Sequence, residues 1–496
     1  MKVVFVDPRG WQGAAEGQRA YPNVGIAYLS AALKAKGHQV TVVDLNNHSM
    51  TDQEAVAKIK EAKPGLIGFS VKTATMSSAR SIANLLKSEG VTTPLLIGGP
   101  HTALAPVELI GDLAFDGVAV GEGEHLMIEI LRVLECGGSL DDVDGLGTRN
   151  RLSQGFLPSK NLVGSLEDLV YPDYDVFSPT VRASLEENYP LVTTRGCVYK
   201  CTFCSVPEIS GKRFRRSTPQ YVIEELNIVM QKYRVRGFEV IDDIFNLDVT
   251  RCKDICLRII EANLNLRFTC ANGIRADRID AELATLLKMA GCYHVCVGVE
   301  SGDDAVFSRV NKGESLSDVR RGIVFLREAG IDVTGFFIIG LPGDSVPATE
   351  KSIHFAKETG ITAFFNMLVP YQGTQIYDWA IERGRLLGNP EVGRHFNDDP
   401  RQLSIVFETD DFPAKEKRRA WEMAHLKLHQ WHRLFPSDIS PIFKMIRLLK
   451  LAWEYDRGRI PEYVLASLQT FFYTRTERLV RYLTDHMPAI IPKKPD

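Results

Sequence analysis

The sequence predicts an α/β chain. A doubly wound, Rossmann-like N-terminal domain is followed by a partial (β/α)6 barrel and then by a C-terminal helical region. Three observations carry this. Short apolar runs alternate with helical periodicity twice, on either side of a polar stretch at 146–186 that holds Pro158, Pro172 and Pro179. The runs are continuously apolar, as in strands of parallel sheets covered on both faces. Beyond about residue 400 only helical periodicity remains. The expected domains are therefore 1–145, a linker at 146–186, the barrel at 187–395 and helices at 396–496.

In the first domain, Lys2–Asp7 (KVVFVD) reads as a strand ending in a turn, and 25–36 as an amphipathic helix stopped by Gly37. Strands follow at Gln39–Asp44, 65–71, 94–98 and 117–120, with a helix at 77–88. The last strand runs into the turn Gly121-Glu122-Gly123-Glu124 and another helix. Doubly wound sheets bind ligands at the carboxyl ends of their strands. Those ends carry Ser70, with Thr73 just beyond it, the turn Gly98-Gly99-Pro100-His101, and the GEGE turn.

The second alternation places strands at 191–195, 237–241, 267–270, 294–299, 333–339 and 363–369. Helices such as 219–232 and 280–289 separate them. Such a series suits a partial barrel with chemistry at the strands' C-terminal ends. Helices are expected at 414–435, 441–455 and 462–484. Packing on the barrel is their first reading. The basic, aromatic segments KMIRLLKLAW and RTERLVRYL also admit an amphiphilic groove or membrane-surface contact.

The 496 residues carry a net charge of −3, with 45% hydrophobic and 24% charged residues. That balance is ordinary for a globular protein and excludes a generally basic nucleic-acid binder. No apolar run approaches the roughly 20 residues of a membrane-spanning helix. The start, MKVVFVDPRG, has no signal-peptide pattern, so the chain is expected in the cytoplasm. Nine cysteines form no secreted disulfide pattern.

Three of them stand together in TRGCVYKCTFCSVP, at Cys197, Cys201 and Cys204. Three thiolates on a tight loop can hold three corners of a [4Fe–4S] cluster, leaving one iron open. Phe203, just before the last of them, is placed to shield it. Structural zinc is one rival, but closed zinc sites take four ligands and no fourth lies nearby. Unrelated buried cysteines are the other rival. The Gly196 turn and the position directly after a strand argue against them.

This segment resembles the signature of the radical SAM (S-adenosylmethionine, SAM) superfamily, and the likeness extends over about 188–375. The resemblance implies that the open iron binds SAM and that a 5′-deoxyadenosyl radical abstracts hydrogen from substrate. It also implies SAM contacts after successive strands: Asp242 and Asp243, Asn272 and Arg275, Glu300 and Ser301, and Gly335 and Gly340. The paired aspartates replace the family's Gly-Gly-Glu form, and the adenine-binding pattern on the fifth strand is only partly present. Strand alternation puts His294, Cys296, Gly298 and Glu300 on one face. Cys270 and Cys296 are candidate lumen thiols. Cys252 and Cys256, one helical turn apart, read as buried thiols or a metal pair. The run Lys212–Arg216 (KRFRR) reads as a solvated patch or an anion site.

A doubly wound domain before such a barrel resembles the cobalamin-binding, class B-like radical SAM methyltransferases. The matching pieces are 21–27 (YPNVGIA), GGPH and GEGE. The resemblance assigns cobalamin contacts to Gly98, Gly99, Pro100, His101, Gly121, Glu122, Gly123 and Glu124. Ser70 and Thr73 would lie nearest the cobalt's lower face. No DxHxxG motif supplies a cobalt-ligating histidine, and His101 suits a turn or tail contact. A degenerate module without corrin is the rival. A dinucleotide site is disfavoured because GxGxxG is missing after the first strand.

The implied cofactors are a [4Fe–4S] cluster, SAM and cobalamin. The implied reaction is methylation of an unactivated carbon through methylcobalamin. A non-methylating rearrangement, cyclisation or ring contraction is the alternative, and a non-catalytic corrin sensor is less favoured. A methylthiotransferase would need a second cysteine set, but the N-terminal domain holds only Cys136. The implied partners are a small-molecule or natural-product substrate, lipid-like or tetrapyrrole, and an electron donor such as flavodoxin or ferredoxin. Nucleic acid is not expected.

Overall fold

In the computed structural model the first sheet contains β1 (Lys2–Asp7), β2 (Gln39–Asp44), β3 (Leu66–Ser70), β4 (Leu95–Gly98), β5 (Gly117–Ala119) and β6 (Leu146–Gly147). The described residues are 1–10, 20–388, 405–430 and 441–456, with 433, 434, 458 and 460. The strand order is β2-β1-β3-β4-β5-β6. The first five strands are parallel and β6 is antiparallel to β5. The chain reverses its winding between β1 and β3, which opens a crevice at their carboxyl ends.

Helix Val24–Ala35 starts in that crevice. Its cap, Asn23, accepts from the Ile26 N–H and donates to Asp7 at 2.8 Å. One side chain thus satisfies a helix end and joins it to a strand end. Helix Asp52–Ala62 is absent from the sequence reading, although Thr51 and Glu54 form a capping box there.

The stretch 146–186 is not a free linker. It adds β6 to the first sheet, and its Val163, Leu166, Tyr174 and Phe177 are buried. Tyr174 packs edge-on against Tyr189 of the barrel at 5.6 Å. Its apolar residues follow no regular period because they fill gaps between layers rather than one face of an element.

The barrel region contains β7 (Tyr189–Leu191), β8 (Thr194–Arg195), β9 (Arg215–Arg216), β10 (Gly237–Val240), β11 (Arg267–Ile274), β12 (Cys292–Glu300), β13 (Asp332–Ile339) and β14 (Thr362–Met367). Six of these form a sheet in the order β14-β13-β12-β11-β10-β7, all parallel. The expected first strand at 191–195 is broken in two. The Asp242 carboxylate accepts from the backbone N–H groups of Thr193 (2.5 Å) and Thr194 (3.0 Å). The chain leaves the sheet there, and β8 pairs with β9 as a small hairpin instead.

Alternation assigns the faces. Val333, Gly335, Phe337 and Ile339 of β13 are buried, and its phenylalanine joins a large core shared with Val295, Val297 and Phe365. Thr334, Phe336 and Ile338 point the other way and are partly exposed. Helix Ala414–Lys427 packs against β13 and β14, and helix Pro441–Tyr455 packs on it. Among the described residues, then, the C-terminal helices cover the barrel; the expected helix at 462–484 lies outside those residues. A short antiparallel pair, β15 (Gly384–Leu386) with β16 (Phe407–Thr409), precedes them. Among the described residues no helix is long and apolar enough to cross a membrane.

Phe337 is fully buried and stacks on Phe365 at 4.7 Å. Phe337→Ala is expected to cost about 3–5 kcal/mol of stability and Phe337→Leu much less, as measured by denaturant unfolding.

Candidate functional site

The cysteine loop is held from several sides. Gly196 has φ of +86°, and an added Cβ would collide with the Arg213 carbonyl. Its N–H donates to Asp243 at 2.8 Å. The Cys197 N–H donates to the Gly211 carbonyl, Thr202 to Val310, and Ile376 to Thr202. All three thiols are half-buried. Burial raises the Cys197 thiol and pushes Cys201 up to about 11 and Cys204 up to about 12. Among the described residues no three His, Cys, Asp or Glu side chains are grouped to hold a metal ion. A cubane takes one thiolate per iron, so its ligands need not converge on one point.

Two cations stand beside the loop. The Arg275 guanidinium lies 3.6 Å over the Tyr199 ring and donates to Asp277 and the Lys312 carbonyl. Lys312 pairs with Glu300 at 3.2 Å and Glu314 at 2.9 Å. Burial alone would lower Lys312, but these two carboxylates hold it above its ordinary value.

A cleft of about 520 Å³ opens between this loop and the first sheet. One wall carries Ser70, Gly98, Gly99, Pro100 and the GEGE turn; the other carries Thr194, Arg195, Ser210, Asp243 and Asn272. Four buried charges join the walls. Arg215 makes two hydrogen bonds to Glu122, at 2.6 and 2.7 Å, and Arg195 lies 2.9 Å from Glu124. Burial would raise Glu122, yet the Arg215 guanidinium holds it below the ordinary carboxylate range. The Arg195 guanidinium also lies 4.9 Å from the Tyr28 ring centroid.

Residues 13–131 match the B12 binding domain family, and residues 191–356 match the Radical SAM superfamily. The chain is a cobalamin-binding radical SAM enzyme. Its cofactors are cobalamin, a [4Fe–4S] cluster and SAM. It is similar to the uncharacterized methyltransferase PH0819 of Pyrococcus horikoshii, at 29% identity over 74% of this chain and 80% of the relative. It is 24% identical to the anaerobic magnesium-protoporphyrin IX monomethyl ester cyclase of Rubrivivax gelatinosus, over 72% of this chain and 66% of that one. Its fold is like that of the radical SAM methyltransferase TsrM of Kitasatospora setae, solved with cobalamin and a [4Fe–4S] cluster. The TM-score is 0.66 at 18% identity, covering 88% of this chain and 89% of that one.

The cleft of this radical SAM enzyme suits a corrin. A large flat ring fringed with amides needs both apolar floor and scattered polar partners. Phe5, Leu29 and Met127 supply the first, and Asn23, Asn46 and Ser70 the second. Gly98, Gly99, Gly121 and Gly123 line the cleft, and two of them are also crowded by the chain itself. An added Cβ would meet the Val71 backbone at Gly99 and the Asn161 carbonyl at Gly121. At these two positions glycine lets the chain pack against itself. Thr73 and His101 are not among the cleft-lining residues; they bond to each other at 3.1 Å.

Several expected SAM contacts are engaged elsewhere. Asp242 is buried under Thr193 and Thr194, and Glu300 is paired with Lys312. Ser301 accepts from the Asp303 N–H. Gly335 faces the outer core, where an added Cβ would press on Ile361, because strand parity turns it from the lumen. Asp243 and Asn272 do line the cleft, and Gly340 ends β13 at φ +103°. The KRFRR run divides: Lys212 is exposed, Arg215 is committed to Glu122 and Arg216 to Asp248. It is neither a uniform solvated patch nor an open anion site. Cys270 is no lumen thiol, since it lies in the outer core against Cys292. Cys252 and Cys256 are likewise buried thiols.

Sequence reasoning missed Arg195, whose partner Glu124 is distant in the chain, and Lys312 with Glu314, which pair two residues apart but meet Glu300 and Arg275 only after folding. It also missed Asp7 at the end of β1. Burial and then the neighbouring Asp44 push Asp7 up to about 7. A raised carboxyl stabilises the fold below its unfolded-state pKa, and this contribution is lost as pH rises through the folded value. Asp7→Asn is therefore expected to be more stable than wild type at pH 8, by about 2 kcal/mol, with the difference closing by pH 4 in thermal unfolding. Arg215→Met, which strands Glu122, is expected to cost about 3 kcal/mol, and the double variant with Glu122→Gln to recover part of it in denaturant unfolding.

Proposed function

We propose that this enzyme is a cobalamin-dependent C-methyltransferase acting on an unactivated carbon of a small molecule. The observation that carries the reading is the shared cleft: the corrin-side turns and the cluster-side residues Asp243 and Asn272 face each other across one space. The similarity to a methyltransferase and to a magnesium-protoporphyrin ester cyclase supports a small-molecule substrate.

In this reading Cys197, Cys201 and Cys204 hold the cluster. When bound, the cluster supplies single electrons to SAM, and cobalamin supplies a carrier for the methyl group. The chain's own residues do the rest. Arg275 and Lys312 place positive charge beside the thiolates, which favours their deprotonated, ligating form. Asp243 fixes Gly196 and so the direction in which the loop presents its sulfurs. Asp243 and Asn272 offer an acceptor and an amide to the polar end of SAM, and Gly340 lets the chain turn beside its adenine. Asn23, Ser70 and the GGP turn hold the corrin. The loop reaches the surface at Val198 and Lys200, both exposed, where a flavodoxin- or ferredoxin-like donor would deliver electrons. A reducing compartment such as the cytoplasm would keep the three cluster thiols available.

The test is anaerobic reconstitution with iron, sulfide and hydroxocobalamin, followed by deuterated-methyl SAM and a metabolite extract from cells lacking this gene. Wild type is expected to hold about four irons and four sulfides and to place label in a small molecule. Cys201→Ala is expected to lose the cluster and all turnover while keeping cobalamin, read from optical spectra. A product without label would eliminate methyl transfer.

A further inference from the structure

Two buried carboxyl groups stand side by side at the edge of the cleft. Asp7 ends β1 and Asp44 ends β2, and the two residues are partners in the parallel register. Their hydrogen bonds differ. Asp44 accepts from the Asn46 N–H at 3.0 Å, the Asn47 N–H at 2.9 Å and the Asn47 side-chain amide at 2.8 Å. Three donors favour its ionised form. Among the described residues the Asp7 side chain accepts only from the Asn23 amide, at 2.8 Å on Oδ1. No described side chain or backbone N–H donates to its Oδ2. Asp7 itself lines the cleft.

Two adjacent buried carboxyl groups do not both ionise at neutral pH, and the proton stays on the one with fewer donors. That one is Asp7. Asp44 on β2 and Lys72 beyond β3 are the charged groups that act on it, and Asn23, heading the helix packed there, is neutral. Arg9, two residues on, is engaged by Asp52 at 3.3 Å. Burial and Asp44 outweigh Asn23 and Lys72 and push Asp7 up to about 7. A protonated carboxyl is a donor. Cobalamin offers acceptors in its amide carbonyls and in the phosphodiester of its nucleotide tail, and it has no ammonium group for an ionised Asp7 to pair with.

We propose that Asp7 binds cobalamin as a neutral acid, donating from Oδ2 to an acceptor oxygen of the cofactor. Binding is then strongest where Asp7 keeps its proton and weakens as pH rises through the value for the free enzyme. The inference concerns cofactor binding and stands whatever reaction follows.

Cluster-reconstituted enzyme without cobalamin is titrated in the dark with methylcobalamin, which has no group titrating between pH 6 and pH 8.5, and binding is read from the visible spectrum. Wild type is expected to bind at least fivefold more weakly at pH 8.5 than at pH 6. Asp7→Asn, whose amide still donates, is expected to bind equally at both. Asp7→Leu is expected to bind at least fivefold more weakly than wild type at pH 6. Wild-type affinity that is constant or rises with pH would overturn the proposal, as would a pH effect that survives in Asp7→Asn or an Asp7→Leu variant that binds like wild type. Methylcobinamide, which lacks the nucleotide tail and its phosphate, is titrated in parallel. The same pH effect with this probe assigns the acceptor to a corrin amide, and its loss assigns it to the phosphodiester. A pH-dependent cofactor site in an enzyme that transfers no label would refute the methyltransferase reading and leave this contact standing; label transfer with pH-independent affinity would do the reverse.

Discussion

The structure depends on four buried charges. Glu122 and Glu124 project from a turn in the first domain, and Arg195 and Arg215 project from the hairpin that carries the cysteine loop. All four side chains are at most 15% exposed. Such a group contributes little net stability over a well-packed apolar contact, because desolvation offsets most of the attraction. Its value lies in register. A hydrophobic interface tolerates sliding, whereas paired guanidinium and carboxylate groups match at one relative position only. Arg195 is two residues from Cys197, so the turn that faces the cleft on one side sets the cysteine loop on the other.

A second constraint operates inside the barrel. Asp242 draws Thr193 and Thr194 out of the sheet, and Arg251 donates to the Thr193 and Ser217 carbonyls just behind them. Neighbouring aspartates therefore do different work. Asp242 ends the first strand, while Asp243, one residue on, points into the cleft and holds Gly196. The loop is held by bonds from the second strand, from the hairpin and from the residues after β12, rather than through its own short sequence.

Much of the architecture was legible in the sequence. Most strands of both sheets contain an apolar run, and the ends of those read from the sequence fall within a few residues of the structural ones. Two kinds of feature escaped. Segments that satisfy no local period, such as 146–186, are shaped by the gaps they fill. Residues whose partners are far along the chain, such as Arg195 with Glu124 or Arg215 with Glu122, have no local signature at all. The candidate glycines show the same limit. Those of the first domain line the cleft, but Gly99 and Gly121 are also required by crowding against Val71 and Asn161, and that crowding exists only after folding.

The chain by itself determined the cysteine spacing, the alternation of strand and helix, and the order of the two units, since these rest on covalent neighbours and side-chain periodicity. The tertiary structure decided which polar groups were already satisfied. It turned Asp242, Glu300 and Arg215 into internal partners, sent Gly335 and Cys270 to the outer core, and left Asp243 and Asn272 lining the cleft. The physical reason is that a polar side chain becomes a ligand contact only where folding leaves part of its hydrogen-bonding capacity unused beside a cavity, and partners are set by three-dimensional proximity.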